Sequence, residues 1–152
     1  MSSVVVLTPS RILEKLSAEP ESESGSGGQG WTVKEGEKSK LGRLRAPALY
    51  TTVVGATLLL AQLPMKRAGA FGVRYMKSYE TFGKATLEWH CTSTPAGTKG
   101  VVEELDGHHE DRTSLSTLVH VKVPWGCTEA TLRVTNRGSA HGNAFKIEQL
   151  VF

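Results

Sequence analysis

The densest group of side chains that could do acid–base or metal chemistry is the run Asp106-Gly107-His108-His109-Glu110-Asp111. Imidazoles and carboxylates are ligands that zinc and other divalent ions accept. His108 and His109 are neighbours, however, and neighbouring side chains on an extended chain point to opposite faces. They are therefore poorly placed to chelate one ion together. We predict a solvated turn here, with no metal ion and no other cofactor.

Asp106 and His109 also have the spacing of the acid and base in the catalytic triad of some serine esterases. A triad needs a nucleophile within hydrogen-bond reach of the base. The sequence has no Gly-x-Ser-x-Gly elbow and no Gly-Asp-Ser block, and Ser26 lies in a glycine-rich stretch unable to hold a strained nucleophile. A hydrolase that uses the 106–111 loop is thus the weaker alternative. We predict that this chain is not an enzyme.

Aromatic rings suggest a binding function instead, because flat rings contact sugar faces while neighbouring polar groups set the orientation. Trp125 lies in a turn after Pro124, and Trp31 begins the apolar part of the chain. The alternation pattern instead assigns Tyr75, Tyr79 and Trp89 to an apolar face, which is typical of a core. The candidate ligand-binding residues are Trp125, Trp31, His108 and His109.

Two cysteines, Cys91 and Cys127, lie 36 positions apart. A disulfide over that span would stabilise the fold by about 3–4 kcal/mol in the chain-entropy model. Two buried free thiols fit the sequence equally well, so both alternatives stay open. Neither residue belongs to a Cys-x-x-Cys pair, which weakens a zinc or thioredoxin-type interpretation.

The elements that position these residues are short and alternate with period two. Within Phe71–Cys91, two alternating runs flank a break that contains Gly83, and this pattern predicts a β-hairpin. Similar runs occur at 114–123, 128–135 and 144–152, with turn signals about every ten residues. The fold class that we predict is all-β: an antiparallel, jelly-roll-like β-sandwich of about seven to nine short strands.

The N-terminal part differs from the rest in composition. Thr8–Leu16 could form a short helix capped by Thr8, or remain a disordered leader, and 17–29 is a Ser/Gly/Glu linker. We therefore predict a leader and flexible linker over 1–29 and a β-sandwich domain over 30–152.

Charge and hydropathy exclude two classes of partner. The chain has 152 residues and a net charge of +3, and its basic residues are scattered among acidic ones, so we predict no nucleic-acid binding. Val53–Leu63 is too short for a bilayer, which needs about 20 apolar residues. The apolar patch in Ser2–Leu7 has no basic region before it, so we expect neither a signal peptide nor membrane insertion.

Several segments resemble one known domain. Tyr75-Met76-Lys77-Ser78-Tyr79-Glu80-Thr81-Phe82-Gly83-Lys84-Ala85 is similar to a segment of the C-terminal β-rich domain that follows SGNH (GDSL-type) esterase-like domains in plant and algal proteins. The similarity extends over Gly30–Phe152. It also includes Leu105-Asp106-Gly107 with Glu110, Arg112-x-Ser114-Leu115, Cys127 and Gly142-x-Ala144-Phe145-Lys146-Ile147.

The resemblance implies a β-sandwich appended to an enzyme that acts on cell-surface or secreted glycans, in the secretory pathway or outside the cell. The catalytic residues of that family lie in the upstream domain, so none is transferred to this chain. The family has several cysteines near the position of Cys91, whereas this chain has one. The expected function is a non-catalytic, carbohydrate-associated binding module; the alternative is a protein-interaction or assembly module with a protein partner.

Overall fold

The computed structural model describes residues 6–7, 27–28, 30–34, 48–64, 70–92, 101–122 and 127–151. Within these ranges the regular elements are all β-strands. They are β1 (Val6–Leu7), β2 (Gly27–Gly28), β3 (Thr32–Lys34), β4 (Ala48–Thr51), β5 (Thr57–Pro64), β6 (Ala70–Lys77), β7 (Lys84–Cys91), β8 (Val101–Asp106), β9 (Leu115–Lys122), β10 (Glu129–Gly138) and β11 (Phe145–Val151).

The strands form two antiparallel sheets. The first has the order β3-β4-β11-β6-β9, with β1 added to β11, and the second has the order β2-β5-β10-β7-β8. Buried side chains from both sheets make one apolar cluster that includes Phe71, Trp89, Leu132 and Phe145. The predicted all-β antiparallel sandwich is therefore confirmed.

Period-two alternation explains which side chains enter the core. In β7, Ala85, Leu87 and Trp89 are fully buried, whereas Thr86 and Glu88 on the other face are only partly covered. Successive side chains of a strand point to opposite faces, so this burial pattern is the one expected of an antiparallel sheet with one face on the core and the other in solvent. In β5, Leu58 and Leu60 are buried on the core face, and Leu59 between them is half-buried on the other.

The predicted hairpin over Phe71–Cys91 is wrong. Its two strands, β6 and β7, lie in different sheets, so the connecting residues 78–83 cross from one layer to the other. Alternation does not distinguish these two cases, because both place one face of each strand in the core. The crossing also corrects Tyr79: the apolar face ends at Tyr75, and Tyr79 lies in the crossing loop with 42% of its side chain exposed.

The crossing of β6 to β7 is one of four that lie at the same end of the sandwich. Strands β4 and β5, β6 and β7, β8 and β9, and β10 and β11 occupy corresponding places in the two sheets. Since the neighbours within each sheet are antiparallel, the four connecting loops meet at the same end of the sandwich. This end is called the crossover end below.

A β-bulge changes the face assignment in the last strand. Period-two alternation over 144–152 predicts Phe145, Ile147 and Val151 together on one side of the strand. Phe145 and Ile147 are buried, but the register of β11 against β6 shifts between Ile147 and Gln149, so Leu150 is buried in place of Val151.

The two cysteines form a disulfide, Cys91–Cys127, with the Cα atoms 5.9 Å apart. The disulfide alternative is therefore confirmed over the free thiols. It lies where β7 ends and β10 is about to begin, at the end of the sandwich opposite the crossover loops.

The predicted helix over Thr8–Leu16 lies outside the described residues. Inside the predicted leader and linker, β1 pairs with β11 and β2 pairs with β5, so short pieces of 1–29 contact the sandwich. The division at residue 30 stays a prediction. Among the described residues, no helix has the length and apolarity to cross a bilayer.

Candidate ligand-binding site

Backbone hydrogen bonds between loops hold the crossover end together. The loop 78–83 lies in the middle: Ser78 N–H donates to Gly107 O at 2.9 Å, and Gly83 N–H donates to Ala144 O at 2.9 Å. Ala144 N–H returns to Thr81 O, also at 2.9 Å. Three loops distant in sequence are thus paired like short strands, which orders them far more than isolated turns.

Glycines make this close approach of backbones feasible. A Cβ atom built on Gly83 would lie 2.3 Å from Gly142 O, and one on Gly107 would lie 2.7 Å from Gly83 O. Both distances are below any real contact of a Cβ atom. The three loops therefore pack backbone against backbone, which only a residue without a side chain allows.

A buried asparagine joins the fourth loop to the others. The Asn136 side-chain amide donates to Val53 O at 3.0 Å and to Asn143 O at 2.7 Å. Its backbone N–H donates to Ala56 O, and its carbonyl accepts from Gly55 N–H. The fully buried Asn136 thus finds partners for its polar groups in the two loops that it connects, as a buried amide requires.

A pocket with a volume of about 340 Å³ opens beside this bonded region, at the upper edge of the outer face of the first sheet. Loop 78–83 forms one wall, and 112–114 forms the facing wall. Strands β6 and β11 supply Met76 and Lys146. The remaining lining residues are Ser78, Tyr79, Glu80, Phe82, Arg112, Thr113 and Ser114.

The pocket has one partly exposed ring and one buried ring. Tyr79 is 42% exposed, whereas Phe82 is buried beneath the wall. The Lys146 ammonium lies 5.5 Å from the ring centroids of both Phe82 and Tyr50. Two cation–π contacts, one with β4 and one with the loop 78–83, hold this ammonium in place.

Hydroxyl groups connect the two walls. Ser114 Oγ donates to Ser78 Oγ at 3.3 Å, and Ser78 Oγ also accepts the Glu80 backbone N–H at 3.4 Å. With both of these bonds accepted, the Ser78 hydroxyl keeps a proton to donate. The guanidinium of Arg112 and the carboxylate of Glu80 also line the pocket, and neither makes an ion pair with a described residue.

The four ligand-binding residues predicted from sequence lie apart from this pocket. The side chain of Trp31 is 5% exposed and belongs to the core cluster. The His108 ring stacks on the His141 ring with centroids 3.7 Å apart, and a His109 ring nitrogen contacts Thr113 O. Trp125 lies outside the described residues. Any ligand contact by these four residues stays a prediction.

Asp106 and His109 do not bond to each other. Asp106 Oδ1 accepts the His108 backbone N–H at 3.0 Å, which closes the predicted turn. Burial raises the pKa of Tyr75, and the nearby Asp106 carboxylate raises it further. The acid and the imidazole of the proposed dyad therefore have other partners. Among the described residues, no three of His, Cys, Asp and Glu are grouped to hold a metal ion.

Sequence reasoning did not identify the pocket residues Tyr79, Glu80, Arg112 and Lys146 as a site. All four fall in segments that carry the family resemblance, namely 75–85, 112–115 and 142–147. The available signal was that these segments are rich in polar side chains next to turns. Their convergence at one end of the sandwich became visible only with the strand order.

Comparisons with known proteins locate the fold but not the family. No protein-family model matches the sequence. No curated protein sequence matches it either.

Many solved structures share the fold, among them the following three. One is a two-domain esterase active on acetylated mannans (TM-score 0.57, 11% identity), where the match covers 97% of this chain and 35% of that one. Another is a carbohydrate-binding module of a lichenase from Cellvibrio mixtus, solved with cellotriose (TM-score 0.50, 10% identity, 97% and 95% covered). The third is the K2 adhesin domain of Lys-gingipain (TM-score 0.54, 12% identity, 100% and 98% covered).

Proposed function

We propose that this chain is a non-catalytic accessory module whose pocket at the crossover end binds a glycan. The observation that carries the proposal is the pocket itself. It combines a partly exposed ring, Tyr79, with hydroxyl and charged groups on the two facing walls. An apolar ring face beside several hydrogen-bonding groups is the combination that a sugar ring needs.

Two solved structures with this fold support the proposal. The Cellvibrio mixtus module was solved with cellotriose and the two-domain esterase with mannopentaose. At 10–11% identity, the likeness extends to the fold alone, so the choice of sugar has to come from the residues of this chain.

The same esterase bears on the context of the module. This chain matches 35% of that two-domain protein, which fits a domain attached to a hydrolase, as does the resemblance to the SGNH-associated domain. The disulfide fits a protein that works in the secretory pathway or outside the cell, because cytosolic thiols are kept reduced.

The direct test is isothermal titration calorimetry of the full chain with a panel of neutral and charged oligosaccharides. Tyr79→Ala should weaken binding about tenfold, since it removes the ring that covers one sugar face. Val102→Ala is the matched control, because Val102 is 64% exposed on β8 of the other sheet. The absence of binding across the panel, or equal binding by Tyr79→Ala, would refute the proposal.

A second candidate function is assembly through a sheet edge. In the described part of the chain, β9 ends the first sheet with eight residues and leaves Leu115 and Leu118 exposed by 49% and 38%. An exposed apolar edge strand invites pairing with another strand. Sedimentation of the full chain and of Leu115→Lys distinguishes the two candidates: self-association that Leu115→Lys abolishes favours assembly, and a monomer at all concentrations argues against self-assembly.

A further inference from the structure

We infer that the glycan bound by this pocket carries an acidic group, a carboxylate or a sulfate ester, that pairs with Arg112 on the wall opposite Tyr79. The inference rests on the proposed function and specifies its ligand. It would not hold for a neutral glycan.

The charges of the lining carry the first step. Among the described lining residues, two side chains are cationic, Arg112 and Lys146, and one is anionic, Glu80. Arg112 makes no ion pair with any described residue, and neither does Glu80, so the two do not neutralise each other by contact. The described lining therefore carries a net positive charge, and Arg112 is the cation in it that is placed to pair with a ligand.

The chemistry of the guanidinium carries the second step. Its planar set of N–H donors matches the two oxygens of a carboxylate or the oxygens of a sulfate, and such charge-assisted pairs are about twice as strong as neutral hydrogen bonds. The residue after Arg112, Thr113, is held in place because its carbonyl oxygen contacts a ring nitrogen of His109. This contact fixes the backbone of the 112–114 wall and leaves the Arg112 guanidinium available to a ligand.

The position of Lys146 carries the third step. Its ammonium is held over Phe82 and Tyr50, 5.5 Å from each ring centroid. This contact places a positive charge on the β11 side of the pocket. The hydroxyls of Ser78 and Ser114 also line the pocket and suit the uncharged oxygens of the same sugar.

The experiment compares matched pairs of ligands on the full chain by calorimetry. One arm sets a uronic-acid oligosaccharide against its carboxyl-reduced form, and the other sets a sulfated oligosaccharide against its desulfated form. We expect at least one charged ligand to bind about tenfold or more tightly than its neutral partner. The arm that shows this preference identifies the anion as carboxylate or sulfate.

Arg112→Gln should abolish that preference by lowering the affinity for the charged ligand about tenfold or more, and should lower the affinity for the neutral partner by a smaller factor. Arg133→Gln is the matched control, because it removes the same charge from the outer face of the second sheet and should change neither affinity. If Arg112→Gln and Arg133→Gln reduce the preference equally, the attraction comes from the net charge of +3 and the inference fails.

The two proposals fail in distinguishable ways. Equal binding of charged and neutral ligands, with loss of both in Tyr79→Ala, would overturn the acidic ligand and leave the glycan pocket standing. Absence of binding by all four ligands would overturn both.

Discussion

The imidazole rings of His108 and His141 lie face to face, with their centroids 3.7 Å apart and their planes inclined by 2°. His108 belongs to the β8–β9 loop and His141 to the β10–β11 loop. The stack is therefore a side-chain contact between these two loops, each of which is also hydrogen-bonded to the loop 78–83.

Removing one ring should cost stability in proportion to the stacking energy. We expect His141→Ala to lower the free energy of unfolding by about 0.5–1.5 kcal/mol, whereas His141→Phe should retain most of it. Urea unfolding of both variants measures this, with the exposed His90→Ala as the control. A double-mutant cycle with His108→Ala that shows no coupling would mean that the rings contribute independently.

Gly83 tests the backbone packing of the crossover end. Gly83→Ala places a methyl group 2.3 Å from Gly142 O, and we expect the free energy of unfolding to fall by about 2–3 kcal/mol. The control is Gly72→Ala, where the nearest atom is the flexible end of Leu118 at 3.1 Å. That change should stay within about 1 kcal/mol of wild type. Equal costs in the two variants would contradict the packing argument.

Tyr75 should make the free energy of unfolding depend on pH in the alkaline range. Its side chain is 3% exposed, and burial, with a smaller effect of the Asp106 carboxylate, raises its pKa above the ordinary 10.0. The unfolded chain therefore loses this proton first, so the stability is intact below pH 10 and falls as the pH rises through the folded-state pKa. Tyr75→Phe should make that fall smaller.

The measurement is urea unfolding of wild type and Tyr75→Phe at pH 8 and above pH 10. Tyr79→Phe is the control, because it removes the same hydroxyl group from a tyrosine that is 42% exposed. An alkaline loss of the same size in wild type and in Tyr75→Phe would show that other groups cause it.

The disulfide should contribute through the length of chain that it closes. With 36 positions between Cys91 and Cys127, the paired variant Cys91→Ala/Cys127→Ala is expected to lose about 3–4 kcal/mol. Guanidinium unfolding of the full chain with and without a reductant gives the same comparison without substitution. Unchanged unfolding under the reductant would contradict the expectation once thiol titration shows that the bond is broken.

Glu80 gives the acidic-ligand proposal a gain-of-affinity test. Glu80→Gln removes the one carboxylate that the described residues contribute to the pocket lining, so its repulsion of an anionic ligand is lost. We expect about a two- to fivefold tighter affinity for the charged oligosaccharide and little change for its neutral partner. Calorimetry at two salt concentrations checks this, because screening should reduce the difference.

The fold class was predictable because one physical effect dominates it. Leu87, Trp89 and Leu132 alternate with polar residues along their strands, and burial of the apolar members of such a pattern forms the core. Sheet membership was not predictable, because residues 78–83 fit either a hairpin turn or a crossing. In the structure, β7 pairs with β10 and not with β6, and β10 pairs with β5 on its other side.

The pocket could not be predicted from spacing because its walls come from different parts of the chain. Arg112 meets the loop of Tyr79 only after β8 and β9 take places in opposite sheets. The titratable run 106–111 is the densest such group in the sequence, but its Asp106 and His109 side chains both contact backbone atoms. Residue type alone does not distinguish a side chain that closes a turn from one that faces a ligand.

The backbone bonds of the crossover end are shared unequally among the pocket walls. Backbone hydrogen bonds between loops are made by Ser78, Thr81, Gly83 and Ala144. The backbone of Arg112 makes no such bond with a described residue. Side chains at 112 and 113 could therefore be exchanged in a combinatorial library without disturbing the glycine-packed framework. New recognition specificities are most readily engineered at this wall.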